Sequence, residues 1–250
     1  MDAELNGQTF LVTGASSGIG RSTAQALAAR GARLVLWGRD EARLVATRDS
    51  LAGAGHMLEI GSLDDPDLAH DAVKRRAGET GELQGIFHAA GTELVRPIRM
   101  TKRTHIDELF GPAVYGALGL ARAGASKGVL ADGASLVFMS SVAATRGTAG
   151  MAAYSAAKAA VEGMVRSLAC EMASRRIRVN ALAAGAVQTE MHERLTGTLG
   201  DAAVAEYEAR HPLGFGETED IAAAALFLLG PASKWITGTT FVVDGGYSAR

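Results

Sequence analysis

The chain has 250 residues, of which 48% are hydrophobic and 21% are charged, a balance typical of one soluble globular domain with a sizeable core. Its net charge of -2 argues against the large basic surface that nucleic-acid-binding proteins carry. No apolar run reaches the length of about 18 residues that a membrane span needs, and the first residues do not resemble a signal peptide. We therefore expect a cytoplasmic protein that contacts neither nucleic acid nor membrane.

The cysteine, arginine and histidine residues indicate which kinds of site and compartment to expect. The single cysteine, Cys170, excludes an intrachain disulfide and fits a reducing compartment. Because Cys170 lies in an apolar helical stretch, we predict that it is buried and unreactive. The cluster of Arg175, Arg176 and Arg178 is predicted to be a solvated helix end. The six histidines are scattered along the chain, so we predict no metal site.

A glycine-rich turn is the first signal of chemistry. Gln8–Thr13 is predicted to be a buried strand and Ile19–Arg30 a helix. Between them, Gly14 permits a sharp turn, Gly18 permits close approach of a phosphate, and Gly20 permits helix–strand packing. The helix N-terminus would then bind a pyrophosphate. The alternative is an ordinary glycine-rich turn, because the spacing is not that of the commoner dinucleotide fingerprint. The predicted cofactor residues of this turn are Gly14, Ser16, Ser17, Gly18, Ile19 and Gly20.

The second predicted strand, Arg33–Trp37, bears on the choice of nucleotide. An acidic residue that binds the adenosine ribose of NAD is expected after it, but the sequence has Gly38 followed by Arg39. A guanidinium recognises a phosphate through paired hydrogen bonds, so this pattern favours NADP(H) over NAD(H), which stays possible. The alternative is that Asp40 caps the next helix while Arg39 only faces solvent.

Strand and helix patterns alternate along the rest of the chain. The region Lys102–Lys127 is mostly helical, and Pro112 should break or kink it. An irregular stretch is expected between the sixth strand and Gly216. This alternation predicts a single-domain, doubly wound (Rossmann) α/β fold with about seven parallel strands and helices on both faces. Further strands are predicted at His56–Ile60, Gly85–His88, Ser135–Met139, Ile177–Leu182 and Thr239–Val243, and further helices near Glu41–Leu51, Asp64–Ala77, Ala152–Ser174 and Glu219–Leu229.

Ligands of such a fold lie beyond the carboxyl ends of the strands. Several segments with small or polar residues directly follow predicted strands, so we expect them to gather at one edge of the sheet. They are the glycine turn, Arg39, Ala89–Gly91, Ser140-Ser141 and Ala183–Thr189.

Tyr154 and Lys158 lie four residues apart in the long predicted helix, on one face. A nearby ammonium favours phenolate over phenol, so we predict that Lys158 lowers the pKa of Tyr154. Such a tyrosine can give a proton to a carbonyl oxygen or take one from an alcohol. The alternative is a pair without function on a surface helix.

Taken together, these motifs resemble those of the short-chain dehydrogenase/reductase superfamily, in its 3-oxoacyl-carrier-protein-reductase-like branch. The resemblance extends over Asn6–Ser248. The motifs that carry it are Thr13-Gly14-x-x-x-Gly18-Ile19-Gly20, Ala89-Ala90-Gly91, Ser141, Tyr154-x-x-x-Lys158, Arg178-Val179-Asn180-Ala181 and Val243-Asp244-Gly245-Gly246.

The resemblance implies an oxidoreductase that interconverts a secondary alcohol and a ketone. Tyr154 would act as general acid or base, Lys158 would lower its pKa and hold the nicotinamide ribose, and Ser141 would polarise the carbonyl. Ser140 is the adjacent alternative to Ser141. The remaining cofactor contacts implied by the resemblance are Ser62, Leu63, Ala90, Gly91, Gly185, the backbone of Val187, and Thr189.

The sequence departs from the family pattern at several positions. His88-Ala89 replaces two asparagines, Ser62 replaces an acid, and Ala184 replaces a proline. The family asparagine that supports a proton-relaying water aligns near Ala113, and we hypothesise that Pro112 supplies the helix break in its place. These changes leave open a second interpretation, a nucleotide-sensing or scaffold protein that has lost turnover.

Residues from about 190 to 216 are expected to form a substrate lid. Its apolar content favours an apolar or amphipathic substrate, although the same residues fit the packing stripe of a helix equally well: Leu195, Leu199, Val204, Tyr207, Leu213 and Phe215. A second group near the site mouth is expected to be solvated, with an acidic substrate or carrier as the alternative: Arg96, Arg99, Lys102 and Arg103. The resemblance also implies a homotetramer or homodimer, and Ala152–Ser174 has apolar residues for two faces.

Overall fold

The computed structural model describes residues 5–197 and 200–249. Seven parallel strands form one sheet in the order β3-β2-β1-β4-β5-β6-β7, so the direction of winding reverses between β1 and β4. The predicted doubly wound fold in a single domain is therefore confirmed. The strands are β1 Thr9–Thr13, β2 Arg33–Gly38, β3 Met57–Ile60, β4 Leu83–His88, β5 Leu130–Ser141, β6 Arg178–Ala184 and β7 Thr240–Val243.

Helices cover both faces of the sheet, and each face has its own apolar core. Successive side chains of a strand point to opposite faces, so Leu11 packs with one core and Phe10 and Val12 pack with the other. Helices α3 to α6 cover the first face, and α1, α2 and α9 cover the second. The helices are α1 Gly18–Ala28, α2 Glu41–Asp49, α3 Pro66–Thr80, α4 Arg103–Phe110, α5 Gly116–Ala125, α6 Ala152–Met172, α7 Glu190–Thr196, α8 Asp201–Glu208 and α9 Thr218–Leu229.

The helical region around Pro112 is broken, as its sequence predicts. Helices α4 and α5 are separated by a π-helical segment, Gly111–Tyr115, with Pro112 in its first turn. Because proline has no N–H, it removes one bond of the α-helical ladder, and a wider turn accommodates the loss.

The segment between β6 and α9 is not irregular, contrary to expectation. It contains the short helices α7 and α8. Thr189 caps α7 by accepting a hydrogen bond from the His192 backbone N–H (3.1 Å), a local signal that the apolar pattern did not reveal. Leu199 and the side chain of Leu195, both expected in the lid, lie outside the described residues.

Two predictions about single residues are wrong. Cys170 is exposed, because α6 turns its neighbour Ala169 toward the core and Cys170 away from it. Arg178 is buried rather than solvated. Its guanidinium donates to the carbonyl oxygens of Leu228 (2.6 Å) and Gly230 (3.0 Å), and so satisfies the C-terminal end of α9.

Within the described residues, none of the helices is both long and apolar enough to cross a membrane.

Candidate active site

Two adjoining cavities lie at the carboxyl edge of the sheet. The larger one, called here the long cleft, has a volume of about 760 Å³ and follows the glycine turn and the ends of β1, β2 and β4. The smaller one, called here the small pocket, has a volume of about 150 Å³ and lies above Ser141, Tyr154 and Lys158. Ile19, Gly91 and Thr189 line both cavities and join them.

The glycine turn has the backbone geometry of a phosphate site. Gly14 has a φ of +64°, and a Cβ there would lie 2.9 Å from the backbone of Ala89. A Cβ at Gly20 would lie 2.2 Å from the carbonyl oxygen of Gly14. Ser17 is the N-cap residue of α1, and in the described structure no side chain caps this helix. Its first N–H groups are therefore available to an anion in the long cleft.

At the end of β2, Gly38 occupies the position where an acidic ribose ligand was expected. A Cβ at Gly38 would lie 3.3 Å from the side chain of Leu44, which leaves little room for a larger residue. Asp40 accepts a hydrogen bond from the Arg43 backbone N–H (3.0 Å), so it caps α2 as predicted. Arg39 is exposed, lines the long cleft and has no ion-pair partner among the described residues. This free guanidinium can meet a phosphate there.

Every cofactor residue predicted from the sequence lines one or both cavities. The long cleft is lined by Gly14, Ser16, Ser17, Gly18, Ile19, Gly20, Arg39, Ser62, Leu63, Ala90, Gly91 and Thr189. The small pocket is lined by Ile19, Gly91, Ser141, Tyr154, Lys158, Gly185, Val187 and Thr189. The structure thus brings all of these residues together, and their individual roles stay predictions.

Sequence reasoning missed several charged residues of the long cleft. Asp64 lines it and accepts a hydrogen bond from the Ser62 hydroxyl (2.6 Å), so an acid lies here although Ser62 is not one. Glu190 forms ion pairs with Arg21 (3.2 Å) and Arg43. Glu190 and Arg43 are 147 residues apart, so no local pattern in the sequence links them.

The structure distinguishes Ser141 from its neighbour Ser140. The Ser140 side chain is buried and its hydroxyl donates to Glu162 Oε1 (2.7 Å). The Ser141 hydroxyl accepts from the Ala143 backbone N–H (3.2 Å) and interacts with the Tyr154 phenol. Ser141 is therefore the serine whose hydroxyl lies beside the Tyr154 phenol.

The pKa of Tyr154 is raised in this structure, which is the opposite of the lowering predicted from Lys158. Burial raises the pKa of Tyr154, the negative charge of Glu93 raises it further, and the hydrogen bond with Ser141 lowers it. Lys158 donates to the Met139 carbonyl oxygen (3.0 Å), with Nζ 5.7 Å from the centre of the Tyr154 ring. Burial also lowers the pKa of Lys158 to about 8. At neutral pH the phenol is thus protonated and ready to donate.

His88 lies behind the site, between β1 and the π-helical segment. Its Nδ1 is 2.8 Å from the Thr13 hydroxyl oxygen, and burial lowers its pKa to about 3. Thr13 Oγ1 also accepts from the Ala90 N–H (3.2 Å). The neutral tautomer with hydrogen on Nε2 matches this arrangement, since it directs an N–H toward the carbonyl oxygens of Pro112 and Ala113. Nε2 nevertheless makes no hydrogen bond of normal geometry within the described residues, so only one of the two ring nitrogens is fully satisfied.

The outer wall of the small pocket comes from elements far apart in sequence. Tyr207 of α8 lies 5.4 Å from Phe215 and 5.3 Å from His211, measured between ring centres. Tyr247, near the C-terminus, stacks on His211 at 4.7 Å. Of the apolar residues expected to contact substrate, Tyr207 lines the pocket, whereas Leu213 is almost fully exposed.

Polar groups complete this wall and were also missed. Glu93, Arg146, Thr148 and His192 line the small pocket, and Arg146 donates to the Ser248 carbonyl oxygen. In the part of the chain that the structure describes, no group of three or more histidine, cysteine, aspartate or glutamate side chains is arranged to hold a metal ion.

A family model and two curated relatives all match this chain over nearly its whole length. A family model described as enoyl-(acyl carrier protein) reductase matches residues 14–248. The chain is 36% identical to carbonyl reductase family member 4 of Danio rerio over 240 residues, covering 94% of this chain and 96% of that protein. It is 33% identical to the 3-oxoacyl-acyl-carrier-protein reductase FabG of Escherichia coli over 241 residues, covering 96% and 97%.

The fold agrees with solved structures as well. A short-chain dehydrogenase from Burkholderia cenocepacia, crystallised in complex with NADP, superimposes with a TM-score of 0.89 at 30% identity, covering 98% of this chain and all of that one.

Proposed function

The chain belongs to the short-chain dehydrogenase/reductase family, in its 3-oxoacyl-acyl-carrier-protein-reductase-like branch, and from this premise we propose that it interconverts a ketone and a secondary alcohol with NADP(H). The observation that supports this proposal most strongly is the juxtaposition of Ser141, Tyr154 and Lys158 in one small pocket that opens into the glycine-lined cleft.

Each of the three side chains has a distinct task. Ser141 donates its hydroxyl hydrogen to the carbonyl oxygen and holds it beside Tyr154. Tyr154 donates its phenolic proton to that oxygen during reduction and accepts a proton during oxidation. Lys158, buried behind the ring, stabilises the phenolate that forms when the proton leaves.

The long cleft fits a phosphorylated dinucleotide. The bound nicotinamide would supply or accept the hydride. The N–H groups of α1 and the backbone of the glycine turn would hold its pyrophosphate, and Arg39 would bind the 2′-phosphate. Thr189 lines both the cleft and the pocket, and Val187 lines the pocket beside it, so the carboxamide would be fixed where the two cavities join. NAD(H) lacks the phosphate that Arg39 would recognise, so we expect it to bind more weakly than NADP(H).

The proton that Tyr154 gives up must be resupplied. We propose that the helix break at Pro112 takes the role of the absent family asparagine. The π-helical segment turns carbonyl groups toward the buried His88, on the side of the site where Lys158 lies.

A second function, nucleotide sensing without turnover, is favoured by one observation: Lys158 Nζ already donates to the Met139 carbonyl oxygen. The intact Ser141 and Tyr154 argue for turnover.

We also propose a homodimer or homotetramer in the cytoplasm, with residues 190–216 as the substrate lid. Large apolar side chains remain exposed on two surfaces. On α4, α5 and the segment between them, these side chains are Ile106, Tyr115 and Leu118. Around the last strand, β7, they are Phe227, Trp235 and Val242. Burial of such patches between copies would stabilise an assembly.

The test is a binding measurement paired with a turnover measurement. NADPH fluorescence should change on binding, and absorbance at the nicotinamide band should fall with a panel of small ketones. NADPH should support a higher kcat/KM than NADH. Binding of NADPH without consumption on any ketone would favour the sensing function instead.

A further inference from the structure

Glu93 is a polar residue of the small pocket to which the catalytic scheme gives no task. It follows β4 by five residues, in the loop after Gly91. It lines the small pocket but not the long cleft, so it faces the substrate rather than the nucleotide. Its side chain is half-buried, and no described residue donates a hydrogen bond to its carboxylate. A half-buried carboxylate without a protein donor is open to a hydrogen bond from a ligand.

The charges around Glu93 restrict what that ligand can be. Burial raises the pKa of the Glu93 carboxyl, whereas the positive charge of Lys158 lowers it. Lys158 therefore already balances the charge of Glu93 within the pocket. A positively charged substituent would be repelled by Lys158, and a negatively charged substituent would be repelled by Glu93. A neutral hydroxyl group avoids both conflicts and donates the missing hydrogen bond.

The rest of the pocket agrees with a small hydroxylated molecule. A cavity of about 150 Å³ holds roughly six non-hydrogen atoms, about the size of benzene. Tyr207, which also lines the pocket, keeps its phenolic proton because burial raises its pKa to about 12. No described residue hydrogen-bonds with the Tyr207 hydroxyl. Two polar groups without partners among the described residues thus line this small pocket.

We propose that Glu93 is a specificity-determining residue that accepts a hydrogen bond from a hydroxyl group next to the reacting carbonyl. The preferred substrates are then small hydroxy ketones and the vicinal diols that correspond to them. This inference rests on the proposed reductase activity, and it names the substrate class for the same site.

The test compares two ketones of equal size. In 1-hydroxy-2-butanone a hydroxyl replaces one terminal methyl group of 3-pentanone. The hydroxyl also withdraws electrons from the carbonyl group and raises its intrinsic reactivity, but this effect is the same in every variant. The change in the ratio of the two kcat/KM values between the wild-type protein and a Glu93 variant therefore reports recognition of the hydroxyl, and effects of Glu93 on Tyr154 and Lys158 cancel in each ratio because both ketones undergo the same chemistry. Recognition by Glu93 should contribute about 10- to 100-fold to the wild-type preference for the hydroxy ketone, typical of a hydrogen bond to a charged group.

Two substitutions then separate charge from shape. Glu93→Leu should lower the ratio by about 10- to 100-fold, and Glu93→Gln should leave an intermediate preference, because the amide still accepts a hydrogen bond. Glu82→Leu, at the opposite end of β4 and exposed, is the matched control and should keep the wild-type ratio. NADPH fluorescence shows that each variant is folded.

Three results would overturn the inference while leaving the reductase activity intact. They are equal wild-type turnover of both ketones, a Glu93→Leu variant that keeps the preference, or a clear preference for aminoacetone or acetoacetyl-coenzyme A. Absence of turnover with all four compounds, despite NADPH binding, would instead contradict the proposed function itself.

Discussion

The long cleft and the small pocket are built by different means. Backbone defines the long cleft: Gly14 and Gly20 fit only because they lack a Cβ, and the uncapped start of α1 lines the cleft. Side chains define the small pocket, where Glu93, Tyr207 and Tyr247 come from a strand-end loop, the lid and the C-terminal segment. Under the proposed function, the cleft would specify a class of ligand shared by many proteins, whereas the pocket would specify the substrate of this one protein.

Tyr154→Phe should cause the largest effect, confined to the pocket. Loss of the phenolic proton removes general acid catalysis, so kcat should fall by about 100- to 10,000-fold. Because Tyr154 lines only the small pocket, NADPH affinity should change little. Steady-state turnover and NADPH fluorescence titration measure the two effects separately. Tyr115→Phe, on an exposed residue of the π-helical segment, is the matched control. Unchanged turnover in Tyr154→Phe would refute the assignment.

Arg39→Gln tests the cleft in the same way. Loss of a charge-assisted contact with the 2′-phosphate should raise the KM for NADPH by roughly 10- to 100-fold and leave the KM for NADH nearly unchanged. Arg33→Gln, at the other end of β2, should leave both constants near the wild-type values. Equal effects of Arg39→Gln on NADPH and NADH would show that Arg39 does not read the phosphate.

The pH dependence of reduction links Glu93 to the catalytic pair. Burial lowers the pKa of Lys158 to about 8, so its charge is present below this pH and is lost above it. Since that charge stabilises the forming phenolate, kcat for ketone reduction should decline above about pH 8. The negative charge of Glu93 raises the pKa of Lys158, so Glu93→Gln should move the decline to lower pH. A decline that stays in place, or moves upward, would contradict this electrostatic coupling.

Pro112→Ala should have the smallest effect. Alanine restores an N–H and permits a regular α-helical ladder through Glu108–Ala113, which would shift the carbonyl groups near His88. We expect a several-fold lower kcat with little change in NADPH affinity. Pro231→Ala, in the turn after α9, is the control. Wild-type kcat in a variant whose helix has become regular would rule out a role for the break.

The fold and the long cleft were predictable because their determinants are local in sequence. Strands and helices follow from hydrophobic period, and residues at strand ends meet at one sheet edge whatever the tertiary details. The burial of Arg178 was not predictable in this way, because the carbonyl groups that it satisfies lie 50 and 52 residues further along the chain.

The electrostatics of the pocket depend on similar long-range packing. A lysine four residues away in sequence predicts a lowered pKa for Tyr154. Burial and the charge of Glu93, which is 61 residues away, raise it instead. Glu93 itself belongs to no recognisable motif, and its place in the site is evident only from the folded pocket. Substrate specificity was for this reason the part of the function that the sequence left open.

The central claim is that a nucleotide in the long cleft and a ketone in the small pocket take part in one reaction. The most direct test uses NADPH deuterated on the transferred position of C4, with 1-hydroxy-2-butanone as acceptor and mass spectrometry of the product. We predict one deuterium per product molecule, on the carbon that carried the carbonyl oxygen. NADPH binding without deuterium in any product would contradict the account and identify a nucleotide-binding protein without turnover.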